Sequence, residues 1–261
     1  MPVNITFRFY EELKDFLPKG KKSQPFTMRL NGTPSVKDTI ESLGIPHTEI
    51  DLVLVNSQPV DFSYRLKDKD YVSVYPVFES FNISDISPLR DSALRNPKFV
   101  LDAHLGKLTR YLRLLGFDSL YRNDFDDFEI IRISTGNNRI ILTRDKGLLK
   151  NNAVTRGYYI RSQKPKEQVK EVIRRFNLES LVKPFSICSV CNCKIVHVLK
   201  DSIAGKLKCL TRKHFHRFFK CTGCGKIYWE GSHYKKIKDF IDGLILNNMI
   251  HPGSRTEERN D

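Results

Sequence analysis

The sequence predicts an α/β protein with three folded parts: an N-terminal sheet with one helix, a central parallel sheet covered by helices, and a small C-terminal unit held by metal. Two observations carry this prediction. The patterns typical of strands and helices follow one order before about residue 97 and another order after it. All six cysteines lie between Cys188 and Cys224, and a unit too small for a large core needs a cross-link such as a bound metal ion to be stable.

Composition and charge are those of a folded, basic protein. Hydrophobic residues make up 40% of the 261 residues, which argues against global disorder. The net charge of +14 favours a polyanionic partner such as RNA, because phosphates that are neutralised by Lys and Arg release counterions. No stretch reaches the roughly 18 apolar residues that cross a bilayer, and the first residues lack the pattern of a secretory signal. We therefore expect a cytoplasmic protein that does not bind membranes.

Residues 1–80 are predicted to form a β-grasp domain, because strands, one helix and further strands follow each other within this length. Ser35 is the predicted helix cap, and Gly44 ends the helix. Residues 81–97 lose the apolar periodicity and gain Ser, Asp, Asn and Pro, which predicts a linker. The predicted strands of the first domain are residues 3–9, 26–30, 52–56 and 71–77.

Residues 98–183 alternate short apolar runs with amphipathic segments, which predicts a parallel sheet covered on both faces. Residues 184–250 hold the cysteines and a last helix, and residues 251–261 form a polar, disordered tail. The predicted strands of the central domain are residues 98–102, 118–121, 139–143 and 157–160, and its helices are residues 105–115, 126–134 and 164–177.

Two C-x-x-C pairs are the most specific chemical signal in the sequence. Cys188, Cys191, Cys221 and Cys224 can converge as four thiolates around one zinc ion, which is the preferred closed structural site. A closed site has no open position, so this metal is assigned to folding rather than to catalysis. Cys193 and Cys209 are spare in this interpretation, although a register in which one of them replaces a knuckle cysteine stays open.

The cysteine-rich segment is also basic and aromatic. Basic side chains can follow phosphates while exposed rings stack on unpaired bases. In the alternative interpretation the rings form the small core around zinc and the charges only solvate it. The cations are Lys206, Lys208, Arg212, Lys213, Arg217 and Lys220, and the rings are Phe215, Phe218, Phe219, Tyr228 and Trp229.

Several carboxylates stand where predicted strands end or a helix begins. Asp102 closes the first strand of the central domain and Asp145 follows the third, while Asp124, Asp126 and Asp127 lie at the start of the second helix. In an open parallel sheet functional sites gather beyond the carboxyl ends of the strands. Carboxylates in one cleft repel each other unless a cation such as magnesium or manganese neutralises them. Each aspartate alone is more often a helix cap or a loop residue.

These segments resemble a known family. FVLDAHLGKLTRYLRLLGFDSLY, NDFDD, RIILTRDKGLL, the two knuckles and IYWEGSHY are similar to the RNase domain named after the carboxy-terminal part of the Mut-seven exonuclease, a branch of the PIN-like nucleases. The resemblance covers roughly residues 98–240. It implies a PIN-like central domain, a C-terminal zinc ribbon and metal-dependent RNA hydrolysis. Asp102 and Asp145 match the family's acids and Asp127 its acid at the second helix, with Asp124 and Asp126 left as alternatives.

The first 80 residues resemble the ubiquitin-like unit that precedes this RNase domain in some members, related to sulfur carriers. A sulfur carrier needs a free terminal Gly-Gly, whereas this unit continues through Phe78-Glu79-Ser80-Phe81 into the linker. Binding or positioning, including contact with a protein partner, is therefore the expected role of the N-terminal domain.

The leading functional prediction is a ribonuclease with structural zinc and catalytic magnesium or manganese. The alternative is a non-catalytic RNA-binding adaptor that uses the ribbon and the basic surface. A sulfur-transfer role is the weakest of the three. Arg144 and Thr143 share the turn of Asp145, where they either orient phosphate or only hold the turn. The cations assigned to RNA contact are Arg110, Arg113, Arg144, Arg212, Lys213 and Arg217.

Overall fold

The computed structural model describes residues 2–77, 87, 89 and 96–250. Most of the predicted linker and the predicted tail at 251–261 lie outside these residues. The chain forms two compact units, one of residues 1–105 with 121–161 and the other of residues 106–120 with 162–261. The first unit therefore combines the N-terminal domain with the acid-bearing part of the central domain.

The N-terminal domain is a mixed five-stranded sheet with one helix, as predicted. Its strands pair in the order β2-β1-β5-β3-β4, with β1 and β5 parallel and the other pairs antiparallel. The Ser35 side chain caps α1 by accepting a hydrogen bond from the Asp38 N–H at 3.0 Å. The elements are β1 (Pro2–Phe9), β2 (Phe26–Asn31), α1 (Val36–Ser42), β3 (Ile50–Val55), β4 (Gln58–Pro59) and β5 (Tyr71–Pro76).

Alternation along β1 explains which face of this sheet is buried. Ile5 and Phe7 are fully buried, and Val3 and Phe9 nearly so, whereas the residues between them face outward or are only half-buried. Side chains at every second position of a strand share one face, so the apolar set of β1 points into a single core. That core also contains Val36 and Ile40 of α1 and residues of β3 and β5.

The predicted strands and helices of the later chain are present, and two short helices, α4 and α6, were not predicted. In the described residues no helix is both long and apolar enough to cross a membrane. The elements are β6 (Phe99–Leu101), α2 (Gly106–Leu114), β7 (Ser119–Leu120), α3 (Asp127–Asn137), β8 (Ile140–Thr143), α4 (Lys146–Lys150), β9 (Gly157–Tyr159), α5 (Pro165–Arg175), β10 (Ile195–Val198), α6 (Cys209–His214), β11 (Phe218–Cys221), β12 (Ile227–Trp229) and α7 (Ser232–Ile250).

In the first unit β6, β8 and β9 form a parallel sheet in that order. Their residues are buried almost throughout, including Phe99, Leu101, Ile141 and Leu142. Strands buried on both faces read as continuous apolar runs, which is why FVL and IILT show no alternation. Parallel strands end at the same edge, so the residues that follow β6 and β8 lie side by side.

A short 3₁₀ segment of the N-terminal domain, His47–Glu49, packs on the edge strand β9 and on α4. The Glu49 carboxylate is fully buried and accepts hydrogen bonds from the Tyr159 N–H at 2.6 Å and the Arg161 guanidinium at 3.2 Å. The Lys150 ammonium donates to the Glu41 carbonyl at 2.6 Å. Edge strands carry backbone groups without a ladder partner, and Glu49 supplies one for β9.

His47 makes a second bridge in this interface. Its Nδ1 lies 2.7 Å from the Glu41 carboxylate and its Nε2 lies 2.8 Å from the Val154 carbonyl. The imidazole thus connects α1 of the N-terminal domain with the chain that leads into β9. Polar groups buried at such a contact contribute to stability only when each finds a partner, and these do. The contact supports the positioning role expected for the N-terminal domain.

We predict that Glu49→Ala loosens β9. The change removes the acceptor of the Tyr159 N–H and one of two carboxylate partners of the half-buried Arg161 guanidinium, which should lower the free energy of opening of β9 by about 1–3 kcal/mol. Hydrogen–deuterium exchange of peptides covering residues 157–161 measures this quantity. Glu167→Ala, at a half-exposed ion pair with Lys170, is the matched control and should change exchange by less than about 0.5 kcal/mol. Equal protection of β9 in both variants would contradict the role given to Glu49.

Candidate acidic site and four-cysteine centre

Asp102 and Asp145 lie at the carboxyl edge of the parallel sheet because each follows one of two neighbouring strands. Asp102 comes directly after β6, and its N–H donates to the Leu142 carbonyl at 3.1 Å, which extends the ladder with β8. Asp145 follows β8 by two residues. The parallel pairing of the strands thus brings together two acids that are distant in the sequence.

The Thr143 hydroxyl joins these two acids. It donates to Asp102 Oδ2 at 2.6 Å and accepts from the Asp145 N–H at 2.9 Å. Thr143 is fully buried, so its hydroxyl is held in place by the surrounding core. Asp145 also caps α4, since its Oδ1 accepts from the Gly147 N–H at 2.6 Å. Sequence reasoning left Thr143 between two roles, and these contacts are those of a residue that orders the turn.

Asp127 is the third acid of this group. It is the first residue of α3, and partial burial together with the charges of Asp145, Asp102 and Asp126 raises its pKa above the ordinary value. A carboxylate responds in this way when like charges stand near it in a partly dry cleft. Asp102, Asp127 and Asp145 therefore form one electrostatic cluster, and we call these three residues the acidic cluster.

Asp124 and Asp126 are held by other partners. Asp124 accepts two hydrogen bonds from the Arg122 guanidinium, both at 2.8 Å, and this contact lowers its pKa. Asp126 is the N-cap of α3 and accepts from the Glu129 N–H at 2.7 Å. The ion pair commits both carboxylate oxygens of Asp124, whereas the cap commits one oxygen of Asp126, as the cap of α4 does at Asp145.

The acidic cluster suits a hard divalent cation. Its donors are carboxylate oxygens, which magnesium and manganese prefer. Burial, and after it the charges of Asp145 and Asp102, raise the pKa of Asp127, and a bound cation would favour its ionised form. The donor type of these three side chains is therefore that of the predicted metal, whereas among the described residues it is the four cysteines described next that gather within 4.8 Å of one another.

Four cysteines form the second centre. Within the described residues, one group of metal-binding side chains gathers closely: the sulfurs of Cys188, Cys191, Cys221 and Cys224 all lie within 4.8 Å of one another. They are the four that the C-x-x-C spacing selected. Cys209 is exposed at the start of α6, and Cys193 lies beside the cluster with its sulfur 3.8 Å from the Cys191 carbonyl.

The two knuckles share one backbone pattern. The Cys188 N–H donates to the Cys193 carbonyl, and the Cys221 N–H donates to the Lys226 carbonyl, five residues on in each case. The residue after each second cysteine has positive φ, +67° at Asn192 and +71° at Gly225. This left-handed conformation is one that Gly and Asn adopt most readily, and it turns both cysteines of a pair to the same side.

Because the thiols of this centre are crowded, their pKa values differ. Burial disfavours the Cys191 thiolate, but hydrogen bonds from the Cys193 N–H and from neighbouring thiols outweigh it and lower the pKa of Cys191 to about 6. At Cys224 a hydrogen bond from the Lys226 N–H favours the thiolate, yet desolvation and the other thiols raise its pKa to about 12. Four thiolates coexist only when a cation offsets their repulsion, which is the chemistry of a closed zinc site.

Tyr228, one of the rings that the alternative interpretation placed in the core around zinc, contacts this centre, although its hydrogen bond to a cysteine was not predicted. Its hydroxyl lies 3.0 Å from the Cys188 sulfur. A hydrogen bond to a metal-binding thiolate orients that ligand, as outer partners of metal sites commonly do. The available signal was weak, since alternation along β12 only indicates that Tyr228 faces away from its two neighbours.

The assignment of Arg113 to RNA contact was wrong. Arg113 is only 4% exposed, and its guanidinium donates to the Ser119 carbonyl at 2.9 Å and the Val190 carbonyl at 2.7 Å. Its charge also lies near Cys188 and Cys191, where it offsets thiolate charge. The helical spacing showed that Arg113 is not on the leucine face of α2. It could not show that the chain around Val190 covers the face on which Arg113 lies.

The other predicted RNA-contact cations are accessible to different degrees. Arg110, Arg212, Lys213 and Arg217 are exposed, whereas Arg144 is half-buried and its guanidinium lies 3.4 Å from the Arg161 carbonyl. Basic side chains on the surface provide phosphate contacts without base specificity.

Comparison with known families agrees with this arrangement. The Mut7-C ubiquitin family matches residues 2–82. The Mut7-C RNAse domain family matches residues 97–241, which is more than half of the chain and includes the acidic cluster and all six cysteines. A comparison with curated proteins found no match to the chain. The protein therefore belongs to the Mut7-C RNAse domain family, and a Mut7-C ubiquitin domain precedes its RNase domain.

Proposed function

We propose that this protein hydrolyses RNA phosphodiester bonds at the acidic cluster, Asp102, Asp127 and Asp145, with a bound magnesium or manganese ion. Family membership implies a nuclease that acts on RNA. The observation that supports the finer proposal is the position of Asp102 and Asp145 after two neighbouring parallel strands, with Asp127 near enough that burial and the charges of these acids together raise its pKa.

The residues of the cluster have distinct tasks. The Thr143 hydroxyl orients the Asp102 carboxylate and fixes the backbone of Asp145, and the cap on α4 orients the Asp145 carboxylate at the edge of the sheet. Asp127 approaches from the start of α3. When bound, a divalent cation supplies a water of lowered pKa and offsets charge on the departing oxygen.

An RNA-binding adaptor is the alternative function. It would use the cations of the ribbon and would not need the acidic cluster, since clustered carboxylates without metal repel phosphate. The loss of cleavage by single aspartate changes, with binding retained, distinguishes the two functions. For the N-terminal domain we propose positioning through Glu49 and His47, with its outward surface available to a protein partner.

We predict that Asp102→Asn, Asp127→Asn and Asp145→Asn each lower metal-dependent RNA cleavage by at least roughly a hundredfold, because metal contacts supply several kcal/mol to such reactions. RNA affinity should be unchanged or higher, since negative charge leaves the cleft. A raised folded pKa means that the ionised Asp127 carboxyl costs stability above that pKa, so Asp127→Asn should keep or raise the melting temperature of the metal-free protein.

Asp124→Asn and Asp126→Asn are the matched controls for these changes. Each removes one carboxylate of the same segment, but from an ion pair or a helix cap, and should lower cleavage much less. Cleavage at the wild-type rate by both Asp102→Asn and Asp145→Asn would contradict the proposed site. Cleavage without any divalent ion would contradict the role of metal.

We predict about one zinc ion per chain, held by Cys188, Cys191, Cys221 and Cys224. Cys188→Ser and Cys221→Ser should each remove most of the zinc and unfold the ribbon, because a closed Cys₄ site supplies folding free energy. Elemental analysis of protein purified without added metal measures the content. Cys209→Ser, at an exposed thiol outside the cluster, should keep full zinc, and an equal loss in this control would count against the ligand assignment.

We predict that the ribbon contributes phosphate contacts to RNA binding. Replacing Arg212, Lys213 and Arg217 together by Ala should reduce the slope of log affinity against log salt by about two, if each cation neutralises one phosphate of a single strand. Fluorescence anisotropy with labelled RNA at several salt concentrations gives the slope.

The control for the salt experiment removes the same charge elsewhere. Arg29, Arg65 and Lys67 are exposed cations of the N-terminal domain, and their replacement by Ala should leave the slope nearly unchanged. Equal slopes for the wild type and the ribbon variant would place the phosphate contacts outside the ribbon.

A further inference from the structure

A cavity of about 530 Å³ lies in the second unit, bordered by α2, by the ribbon strands β10, β11 and β12, and by the start of α7. We call it the ribbon cavity. Its volume falls within the usual range for small-molecule sites, roughly 300–1,000 Å³. Neither a member of the acidic cluster nor a cysteine is among its lining residues. The functions described so far therefore leave it without a role.

Aromatic rings form much of the wall. Trp229 is 38% exposed, and Tyr234 packs against Phe185 with ring centroids 4.3 Å apart. Tyr228 also lines the cavity, and its hydroxyl is held at the Cys188 sulfur. Rings fixed in this way offer flat apolar faces at little cost in side-chain entropy. Such faces are what an unpaired nucleobase stacks on.

Cations border the same cavity. Arg110, Arg217 and Lys226 line it, against the single carboxylate of Glu230. The first turn of the 19-residue helix α7 also lines the cavity, through Ser232 and Tyr234. That turn carries no acidic side chain. Basic side chains and the first N–H groups of a long helix both favour an anion such as phosphate. The carboxylate of Glu230 can accept from the amino group of a base.

Gly231 lies close against the indole of Trp229. A Cβ atom at Gly231 would stand 3.0 Å from Trp229 Nε1 and 3.3 Å from its Cδ1. A side chain at this position would therefore require the ring to shift by a few tenths of an ångström. The segment WEGS, singled out in the sequence without a role, supplies one wall of the cavity through Trp229, Glu230, Gly231 and Ser232.

We propose that the ribbon cavity binds one unpaired nucleotide of an RNA strand, with the base against Trp229 and Tyr234 and the phosphate beside Arg217 and Arg110. This inference rests on the proposed function in that it names the form of RNA bound, namely single-stranded. A duplex keeps its bases stacked inside and offers only phosphates. The aromatic wall therefore gives the site its preference for a single strand, and the cations give it affinity.

The single tryptophan of the chain reports on the cavity directly. We would titrate the full-length, zinc-loaded protein without added divalent ions, using a single-stranded RNA about ten nucleotides long, a length within the range of common single-strand sites. Saturable quenching of Trp229 fluorescence is the expected result. The same sequence as a blunt duplex, at equal phosphate concentration, should quench little.

Two pairs of variants test the contacts. Arg217→Ala should weaken single-strand affinity roughly tenfold, whereas Arg212→Ala removes the same charge from outside the cavity and should weaken it less than threefold, as for one screened phosphate contact. Tyr234→Leu should also lose roughly tenfold, the usual value for one stacked base, and Tyr234→Phe should keep the affinity. The zinc content of each variant shows whether the ribbon is folded. If Tyr234→Leu loses zinc, the comparison of Arg217→Ala with Arg212→Ala, both at exposed residues, still tests the proposal.

Any of three results would overturn the proposal. The first is RNA binding, seen by anisotropy, without quenching of Trp229. The second is equal quenching by the duplex, and the third is equal losses in Arg217→Ala and Arg212→Ala, which would reduce the cavity to part of a general basic surface. Each of these results leaves cleavage by the acidic cluster standing. Quenching by single strands in a protein that cleaves no RNA with magnesium or manganese would support the cavity while the proposed nuclease function failed.

Discussion

The arrangement of the acidic cluster depends on the hydrogen bonds of one group, the Thr143 hydroxyl. It is buried at the end of β8 and binds both the Asp102 carboxylate and the Asp145 N–H. Turning the Asp102 carboxylate away would break its part-buried hydrogen bond from this hydroxyl, and the same hydroxyl fixes the backbone of Asp145. The parallel pairing of β6 with β8 makes the arrangement possible, because it ends the two strands at one edge. Asp127 then adds its charge from α3.

The N-terminal domain contacts the same sheet at its edge strand, β9. β9 is the last strand in the order β6-β8-β9, and the buried carboxylate of Glu49 accepts its Tyr159 N–H. α4, which Asp145 caps, is also held by the N-terminal domain, since Lys150 donates to the Glu41 carbonyl. These contacts with β9 and α4 are the basis of the positioning role that we propose for the N-terminal domain.

Local patterns predicted much of this architecture, because apolar periodicity and turn residues report directly on nearby structure. The runs FVL and IILT identified buried strands, and the acids after them followed from the parallel arrangement. The C-x-x-C spacing selected the four clustered cysteines, since a knuckle is a turn of a few residues. Contacts between distant segments left no such pattern. Glu49 and Tyr159 are 110 residues apart, and Arg113 reaches Val190 across 77, so neither contact could be predicted.

The two knuckles also determine how the ribbon tolerates change in the segment between them. Cys191 and Cys221 are 30 residues apart, so a metal ion shared by both pairs closes a long loop in the unfolded chain. A cross-link over such a loop removes entropy worth on the order of 3–4 kcal/mol from the unfolded state. The cost of loop closure grows only with the logarithm of length, about 0.6 kcal/mol for each doubling. The excursion between β10 and β11, which carries α6 and its cations, can therefore lengthen or shorten at little cost to the folded ribbon.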